Sequence, residues 1–268
     1  MKHFAFIFLV SLLNLIGSSA YACGPDTDCM IDDRSYRIRM PEPKVGKPGA
    51  IIFNHGYRGT ASGIMRNRKM GDTISKLGVA FVAPKSAFQD WDIPNSPSGR
   101  LGNLEYEYFE KLKTELVEKH GIDPNRIMVT GFSAGGMMTW ELACNLGDLF
   151  AGYAPISGTF WDPVPKSCKT LPQSIIHMHG TSDKIVPLKG RRIGNTKQGE
   201  VEAALQLAAP ENNYGKWTQL DTFEGLACKI RKASKQQFVQ FCTHPGGHSL
   251  KSAWIVRAWK QFEKAGLL

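Results

Sequence analysis

Residues 129–138 read VTGFSAGGMM, a stretch in which one serine, Ser133, stands among glycines and an alanine. An apolar run over 127–129 predicts a strand before it, and an apolar pattern over 137–146 predicts a helix after it. A chain that turns from strand to helix within two residues brings backbone segments close together, and only very small residues leave room there. The stretch matches the G-x-S-x-G pattern, which exposes a serine hydroxyl at the end of a sheet. We predict that Ser133 is a nucleophile; the alternative is a turn whose small residues serve packing alone.

A serine nucleophile needs a base, and the base needs a carboxylate that holds it in one tautomer. With this pattern the partners follow along the chain in the order serine, acid, histidine. Asp183 comes just after the apolar run 174–178, and His248 comes after a hairpin pattern and before the last helical pattern. We therefore predict Asp183 as the acid and His248 as the base. The alternatives are a turn-forming role for Asp183 and a helix-capping role for His248.

The other histidines fit structural roles better. His244 is the rival base, but it lies at a strand end beside Cys242. His177 and His179 alternate with apolar residues in a predicted buried strand, which is typical of core histidines with satisfied hydrogen bonds. The base prediction therefore stays with His248.

Loops that follow strands supply the remaining candidate site residues. We assign the two donors of an oxyanion hole to the backbone N–H groups of Tyr57 and Ala134, since Tyr57 follows the second predicted strand and Ala134 follows the serine. Trp91 and Trp161 lie on such loops and are candidate substrate-binding residues. Their alternative role is packing over the rim of the core.

Apolar runs separated by helical patterns indicate an α/β fold with a mostly parallel central sheet and helices on both faces. The helical patterns include one that begins near Leu104 and stops at Gly121 and one around Trp254 to Phe262. Residues 35–40 alternate and predict an antiparallel edge strand. The stretches 84–103 and 181–217 read as long irregular loops, which are usually functional. The strand runs are 50–53, 79–83, 126–130, 152–156 and 174–178.

The N-terminus has the pattern of a secretory signal peptide. Residues 4–16 are without charge, and Ala20-Tyr21-Ala22 forms an A-x-A cleavage site. We predict a signal peptide over 1–22, a single α/β domain over 23–268, and a periplasmic or extracellular location. Lipid anchoring at Cys23 is the less favoured alternative. No run reaches the roughly 18 to 20 apolar residues of a membrane helix, so we expect no stable membrane insertion.

Six cysteines in an exported chain indicate disulfides. We predict pairing between neighbours, namely Cys23 with Cys29, Cys144 with Cys168, and Cys228 with Cys242. The last pair flanks a hairpin pattern, which places the two thiols across from each other. The alternative for Cys144 is a buried free thiol. Zinc-site spacings such as CxxC or HExxH do not occur, so we expect no metal.

The composition is basic, with 33 Lys and Arg against 24 Asp and Glu and a formal net charge of +9. The basic residues are spread along the chain, are not interleaved with aromatic ones, and match no nucleic-acid motif, so we expect no nucleic-acid partner. A soluble basic surface is the favoured interpretation. Attraction to anionic polysaccharide or envelope surfaces is the more specific alternative.

Four segments resemble secreted α/β hydrolases that include polyhydroxybutyrate depolymerases and feruloyl or acetyl xylan esterases. They are residues 54–56, 121–138, 179–187 and 246–248. The resemblance implies an α/β-hydrolase fold and a triad of Ser133, Asp183 and His248, the residues that the spacing also selects. It implies carboxylic ester substrates, carried by plant polysaccharide or polyester, and no cofactor.

The sequence thus predicts a secreted serine esterase acting on feruloyl or acetyl polysaccharide esters or on short aliphatic or aryl esters. Three alternatives stay open at this point: a polyhydroxyalkanoate depolymerase, a serine peptidase, and a non-catalytic binding protein on the same fold.

Overall fold

The computed structural model describes residues 23–170 and 174–268, and the predicted signal peptide lies outside these ranges. The strands are β1 (Cys29–Ile31), β2 (Arg34–Arg39), β3 (Ala50–Asn54), β4 (Ala80–Pro84), β5 (Ile127–Phe132), β6 (Gly152–Ile156), β7 (Ser174–Gly180), β8 (Arg192–Ile193), β9 (Thr196–Lys197), β10 (Thr218–Gln219), β11 (Ala227–Lys232) and β12 (Phe238–His244). The helices are α1 (Ala61–Met65), α2 (Arg68–Ser75), α3 (Leu104–Glu118), α4 (Ala134–Asn145), α5 (Val201–Ala208), α6 (Glu211–Tyr214) and α7 (Ser252–Ala265). None of the helices within the described ranges is long and apolar enough to cross a membrane.

One large sheet organises the described chain, in the order β1-β2-β4-β3-β5-β6-β7-β12-β11-β10. The six central strands, β4 to β12 in that order, pair in parallel. The two outer strands on each side pair antiparallel. The strand order and the parallel pairing confirm the predicted α/β fold with a mostly parallel sheet.

The core lies on both faces of this sheet because successive strand residues point to opposite sides. Ile52 belongs to the core on one face, where α3, α4 and α5 pack. The preceding residue, Ile51, belongs to the core on the other face, where α1, α2 and α7 pack. Residues of β3, β4, β6 and β7 are buried throughout. Such strands read as continuous apolar runs, which is why the sequence indicated them.

Two sequence-based expectations are wrong in detail. The strand expected at residues 35–40 is antiparallel, but β1 pairs on its outer side, so β2 is not the edge. The stretch 181–217 is not irregular throughout, because α5 occupies residues 201–208. Its buried residues Val201, Ala204, Leu205 and Ala208 follow helical spacing.

Three disulfides join the described cysteines, and they link the predicted pairs: Cys23–Cys29, Cys144–Cys168 and Cys228–Cys242. Cys228 and Cys242 are direct partners in the register of β11 and β12. None of the six is free, so Cys144 is not the buried thiol of the alternative interpretation. Three disulfides fit the chemistry of an exported protein.

Candidate active site

Ser133 lies in a strained turn between a strand and a helix. β5 ends at Phe132 and α4 begins at Ala134, and Ser133 between them has φ 60° and ψ −123°. A positive φ in a residue other than glycine costs about 1 to 3 kcal/mol and is concentrated at functional sites. Two backbone hydrogen bonds hold the turn: Ser133 N–H donates to Ile156 O at 3.0 Å, and Met137 N–H donates to Ser133 O at 2.9 Å.

The glycines around Ser133 are required by close backbone contacts. A Cβ on Gly131 would lie 2.3 Å from the carbonyl oxygen of Gly135. A Cβ on Gly135 would lie 2.0 Å from the carbonyl oxygen of Asn54. Both distances are far below van der Waals contact, so no larger residue fits without moving β3 or β5 away from α4.

Asp183 and His248 meet at the carboxyl end of the sheet. His248 Nδ1 lies 2.7 Å from Asp183 Oδ2, and the Asp183 side chain is fully buried. The other oxygen, Oδ1, accepts hydrogen bonds from the backbone N–H groups of Ile185 at 2.8 Å and Val186 at 2.9 Å. Because the carboxylate fixes the proton on Nδ1, neutral His248 has Nε2 free to accept a proton.

The His248 ring lies beside the residue that precedes Ser133. Its centroid is 4.5 Å from that of Phe132, with the two planes tilted by 36°. Within the described ranges, no hydrogen bond joins Ser133 Oγ to the imidazole. The contact between nucleophile and base therefore stays a prediction.

A row of buried hydrogen bonds connects α4 to the turn that carries Asp183. Trp140 Nε1 donates to His177 Nδ1 at 3.3 Å, His177 Nε2 lies 3.0 Å from His179 Nδ1, and His179 Nε2 lies 2.7 Å from Val186 O. Indole nitrogen only donates and a carbonyl only accepts, so both imidazoles are neutral with the proton on Nε2. The two histidines are satisfied core residues, as the sequence indicated.

One of these imidazoles, that of His179, also lies close to the acid. His179 Nε2 is 3.6 Å from Asp183 Oδ2. Burial lowers the pKa of His177 well below its ordinary value, and the neighbouring His179 lowers it further. Burial likewise lowers the pKa of His179. The row therefore stays uncharged at neutral pH and supports the acid turn through hydrogen bonds rather than through charge.

A cavity of about 320 Å³ opens at Ser133. Its lining includes Ser133, Ala134 and Tyr57, together with Trp161, but not His248. The apolar part of the lining is formed by Ile93, Met137, Trp161, Ile185, Val186 and Ile193. The polar part is formed by Asp90, Ser96, Ser98, Arg191 and Gln198. We call this cavity the active-site pocket.

The structure brings the two oxyanion-hole candidates to the serine. Ala134 is the first residue of α4, and Tyr57 follows Gly56, on which a Cβ would lie 3.6 Å from Ser133 Cβ. Tyr57 is 58% exposed and lines the active-site pocket. The assignment of their N–H groups as donors remains a prediction.

Of the two tryptophan candidates, only Trp161 lines the active-site pocket. Trp91 is fully buried, donates from Nε1 to His55 O at 2.8 Å, and stacks on the His55 ring at 4.6 Å. The prediction that Trp91 binds substrate is therefore wrong, because the ring packs inward under the loop that carries it. Its alternative role, packing at the rim of the core, is the observed one.

Sequence reasoning missed the two acids that shape the long loop over 84–103. Asp92 accepts hydrogen bonds from backbone N–H groups of Arg100 at 2.6 Å and Gly102 at 2.7 Å. Glu105 accepts from the backbone of Ala87 and Asp92 and from Arg34 Nη2 at 2.7 Å. Both acids are buried, at 1% and 0% exposure. The sequence feature that could have identified these two acids is their position beside a loop rich in Pro, Ser and Gly.

One group of potential metal ligands occurs within residues 23–170 and 174–268, formed by Cys23, Cys29 and His120. The two sulfurs form a disulfide and are not thiolates, which leaves His120 as the sole ordinary ligand. His120 instead lies 2.8 Å from the Tyr36 hydroxyl. This group does not fit a metal.

Several known proteins are similar to this chain in sequence. The profile of a phospholipase/carboxylesterase family matches residues 104–200, a range that contains Ser133 and Asp183. The putative esterase NocK of Nocardia uniformis is 26% identical over 163 residues, which is 59% of this chain and 47% of that protein. The probable feruloyl esterase C of Aspergillus niger is 24% identical over 263 residues, covering 90% of this chain and 87% of that protein.

Solved structures show the same architecture. The acetyl xylan esterase from Aspergillus awamori superposes with a TM-score of 0.60 at 15% identity, covering 92% of this chain and 97% of that one. The Bacillus cereus carboxylesterase gives a TM-score of 0.55 at 14% identity, covering 87% and 95%. The chain therefore has the α/β-hydrolase fold and is similar in sequence to carboxylesterases, feruloyl esterases among them.

Proposed function

We propose that this protein is an exported serine esterase that hydrolyses carboxylic esters through an acyl-enzyme. Ser133 is the nucleophile, His248 the base and Asp183 the acid. The observation that carries the proposal is the 2.7 Å contact between Asp183 and His248, beside a serine held at positive φ at the start of a helix.

The chemistry follows from these positions. Ser133 Oγ attacks the ester carbonyl carbon while His248 Nε2 takes the hydroxyl proton, and the same proton then leaves with the alcohol. Asp183 holds the imidazole in the required tautomer and stabilises the imidazolium. The backbone N–H groups of Tyr57 and Ala134 stabilise the oxyanion, aided by the partial positive charge at the N-terminus of α4.

The missing hydrogen bond between Ser133 and His248 is compatible with this mechanism. Catalytic hydrogen bonds in unliganded enzymes are often long and tighten when substrate binds. A serine hydroxyl reorients by rotation about one bond, at little cost compared with moving backbone.

The lining of the active-site pocket favours a short acyl or aryl group. Trp161, Met137, Ile93 and Val186 offer apolar contact, and Gln198 and Ser96 supply a few polar groups. This mixture suits an aromatic acid such as ferulate or a short chain such as acetate. Relatives named as feruloyl esterase and acetylxylan esterase support polysaccharide esters as the substrate class.

Substitution of the nucleophile tests the proposal. We expect Ser133→Ala to abolish hydrolysis of p-nitrophenyl acetate while circular dichroism and thermal unfolding stay close to wild type, because the small side chain makes no hydrogen bond that the fold needs. A fluorophosphonate probe should label wild type and not the variant. Ser167→Ala, on an exposed bend that does not line the active-site pocket, is the matched control and should keep full activity.

Three results would contradict the proposal. Undiminished turnover by Ser133→Ala would exclude Ser133 as nucleophile. Absence of fluorophosphonate labelling in folded wild type would favour a binding protein that only retains the fold. Faster cleavage of an anilide than of the matching ester would favour a peptidase.

A further inference from the structure

A second and larger cavity lies next to the active-site pocket. Its volume is about 770 Å³, and its lining includes Arg37, Arg58, Lys85, Phe88 and Asp28. We call it the cationic cavity. Neither the predicted triad nor the proposed chemistry uses any of these residues.

Two chain segments run from one cavity to the other. Tyr57 lines the active-site pocket, and the next two residues, Arg58 and Gly59, line the cationic cavity. In the same way Asp90 lines the active-site pocket, whereas Phe88 and Gln89 line the cationic cavity. Since residues one or two positions apart along the chain line the two cavities, the cavities lie side by side, and we expect an extended substrate with its ester bond at Ser133 to reach both.

The cationic cavity has an excess of positive charge. Three cationic side chains face one carboxylate, that of Asp28, which gives a net charge of +2. Asp28 is already paired, because Arg37 Nε lies 2.5 Å from its Oδ1 and Ser35 Oγ lies 3.5 Å from its Oδ2. The one acid therefore leaves the charges of Arg58 and Lys85 uncompensated.

Arg58 and Lys85 are both exposed and, in the part of the chain that the structure describes, neither has an acidic partner within ion-pair distance. The Arg58 guanidinium lies over the Tyr57 ring, 5.1 Å from its centroid. Arg58 also has φ 55°, a conformation that costs energy for a residue with a side chain and that is typical of ligand sites. These two cations are available to a ligand.

The rest of the lining suits a sugar rather than a small inorganic anion. The hydroxyl-bearing residues Thr60 and Ser62 and the amide of Gln89 offer hydrogen-bond donors and acceptors, and Phe88 offers an apolar ring. Sugars combine hydroxyl groups with an apolar C–H face, so they match such a lining. The cavity is also far larger than one phosphate or sulfate ion needs.

We propose that the cationic cavity binds a uronate, a sugar that carries a carboxylate, in the polysaccharide part of the ester substrate. Arg58 and Lys85 contact the carboxylate while the acyl group occupies the active-site pocket. This inference rests on the proposed esterase function, and it narrows the substrate to esters on acidic polysaccharides.

A binding experiment tests the cavity without requiring hydrolysis. A short oligogalacturonide without ester groups and a neutral oligosaccharide of the same length are titrated calorimetrically into the wild-type protein. We expect the charged ligand to bind about two- to thirtyfold more tightly, since two exposed ion pairs contribute about 0.2 to 1 kcal/mol each. The preference should shrink as NaCl is raised, because salt screens exposed charges.

Three variants test whether Arg58 and Lys85 cause the preference for the charged ligand. Lys85→Gln and Arg58→Gln should each reduce the affinity for the charged ligand about two- to fivefold and leave that for the neutral ligand unchanged. Lys235→Gln removes the same charge from the turn between β11 and β12, at the opposite edge of the sheet, and should change neither affinity. Both Lys85 and Lys235 are exposed, so their substitutions perturb folding little.

Equal affinity for the two ligands, or no binding of either, would overturn the inference. So would a charge preference that survives in a double variant carrying both Arg58→Gln and Lys85→Gln, since the anion would then bind elsewhere. Hydrolysis of p-nitrophenyl acetate by the same wild-type preparation reports on the proposed function independently. An active esterase that shows no preference for the charged ligand would therefore contradict only the proposed uronate site. An inactive protein that shows this preference would contradict only the proposed esterase function.

Discussion

Asp183 is the residue on which the tautomer of His248 depends. Its Oδ2 accepts from His248 Nδ1, and its Oδ1 accepts from two backbone N–H groups, so the carboxylate cannot turn to present another atom. Asp183→Asn keeps the shape of the side chain but presents an N–H group or a weaker acceptor to the His248 ring. This favours the tautomer with the proton on Nε2, which cannot accept the serine proton. We expect kcat on p-nitrophenyl acetate to fall by about 10⁴-fold with the fold intact.

The matched control for that substitution is Asp33→Asn, which changes the same group on an exposed turn. It should leave kcat at the wild-type value. A loss of less than tenfold in Asp183→Asn would show that His248 does not depend on this carboxylate, and the assigned triad would then be incorrect.

Glu141 provides a second prediction at this scale. It is buried in α4, and Tyr106 Oη donates to its Oε2 at 3.1 Å. Burial raises the pKa of Glu141 to about 7, above its ordinary 4.5. The folded protein therefore binds more protons than the unfolded chain between these two pH values, so the contribution of Glu141 to stability is full below about pH 4.5 and is lost as pH rises through about 7.

Glu141→Gln should remove this pH dependence, since glutamine stays neutral. The difference in unfolding free energy between variant and wild type should move in favour of the variant from pH 5 to pH 8, by up to about 3 kcal/mol. Urea unfolding at the two pH values measures it, and Glu110→Gln on an exposed face of α3 is the control. A difference that is the same at both pH values would contradict the assigned ionisation.

At the scale of elements, the loop over 84–103 depends on Asp92. Its buried carboxylate accepts four backbone N–H groups, those of Arg100, Leu101, Gly102 and Leu104. Asp92→Asn would place an amide nitrogen against some of these donors and leave them unpaired. We expect a loss of about 3 kcal/mol in unfolding free energy.

The same substitution should lower esterase activity, because Ile93 and Ser96 of this loop line the active-site pocket. KM for p-nitrophenyl esters should rise more than kcat falls, since the loop shapes binding rather than chemistry. Asp72→Asn, exposed on α2, is the control for both measurements. Unchanged stability would show that the loop is held by its other contacts.

Features that a short stretch of sequence determines could be predicted, whereas features that depend on contacts between distant residues could not. The turn at Ser133 was predictable because backbone contacts at Gly131 and Gly135 permit only a small set of residues, and the spacing of Asp183 and His248 marks strand ends. The direction in which the Trp91 ring turns depends on the loop held by Asp92 and Glu105, so sequence alone did not give it. The helix over 201–208 was missed because two turns offer too short a period within a long polar stretch.

At the scale of the whole molecule, three disulfides stabilise separate regions. Cys23–Cys29 closes a terminal loop, Cys144–Cys168 joins the end of α4 to the loop after β6, and Cys228–Cys242 joins β11 to β12. In the chain-entropy model a cross-link lowers the entropy of the unfolded chain more when its loop is longer. The sequence separations of 6, 24 and 14 residues, in that order, therefore predict that Cys144–Cys168 contributes most to stability, Cys228–Cys242 less, and Cys23–Cys29 least.

We expect loss of the Cys228–Cys242 bond, in a Cys228→Ser and Cys242→Ser double variant, to cost about 3 kcal/mol of unfolding free energy. Loss of Cys144–Cys168 should cost more and loss of Cys23–Cys29 less. Guanidinium unfolding of the three double variants gives the ranking. Equal costs for all three would show that native-state contacts, rather than loop length, decide the contribution of each bond.

The row from Trp140 through His177 and His179 to Val186 has one direction, set by a donor at one end and an acceptor at the other. An added proton on either imidazole would set two N–H groups face to face and break the alternation along the whole row. Because burial lowers the pKa of both imidazoles, mild acidification should leave the row and the esterase activity intact, and only stronger acid should disrupt the helix behind the serine and the turn of the carboxylate.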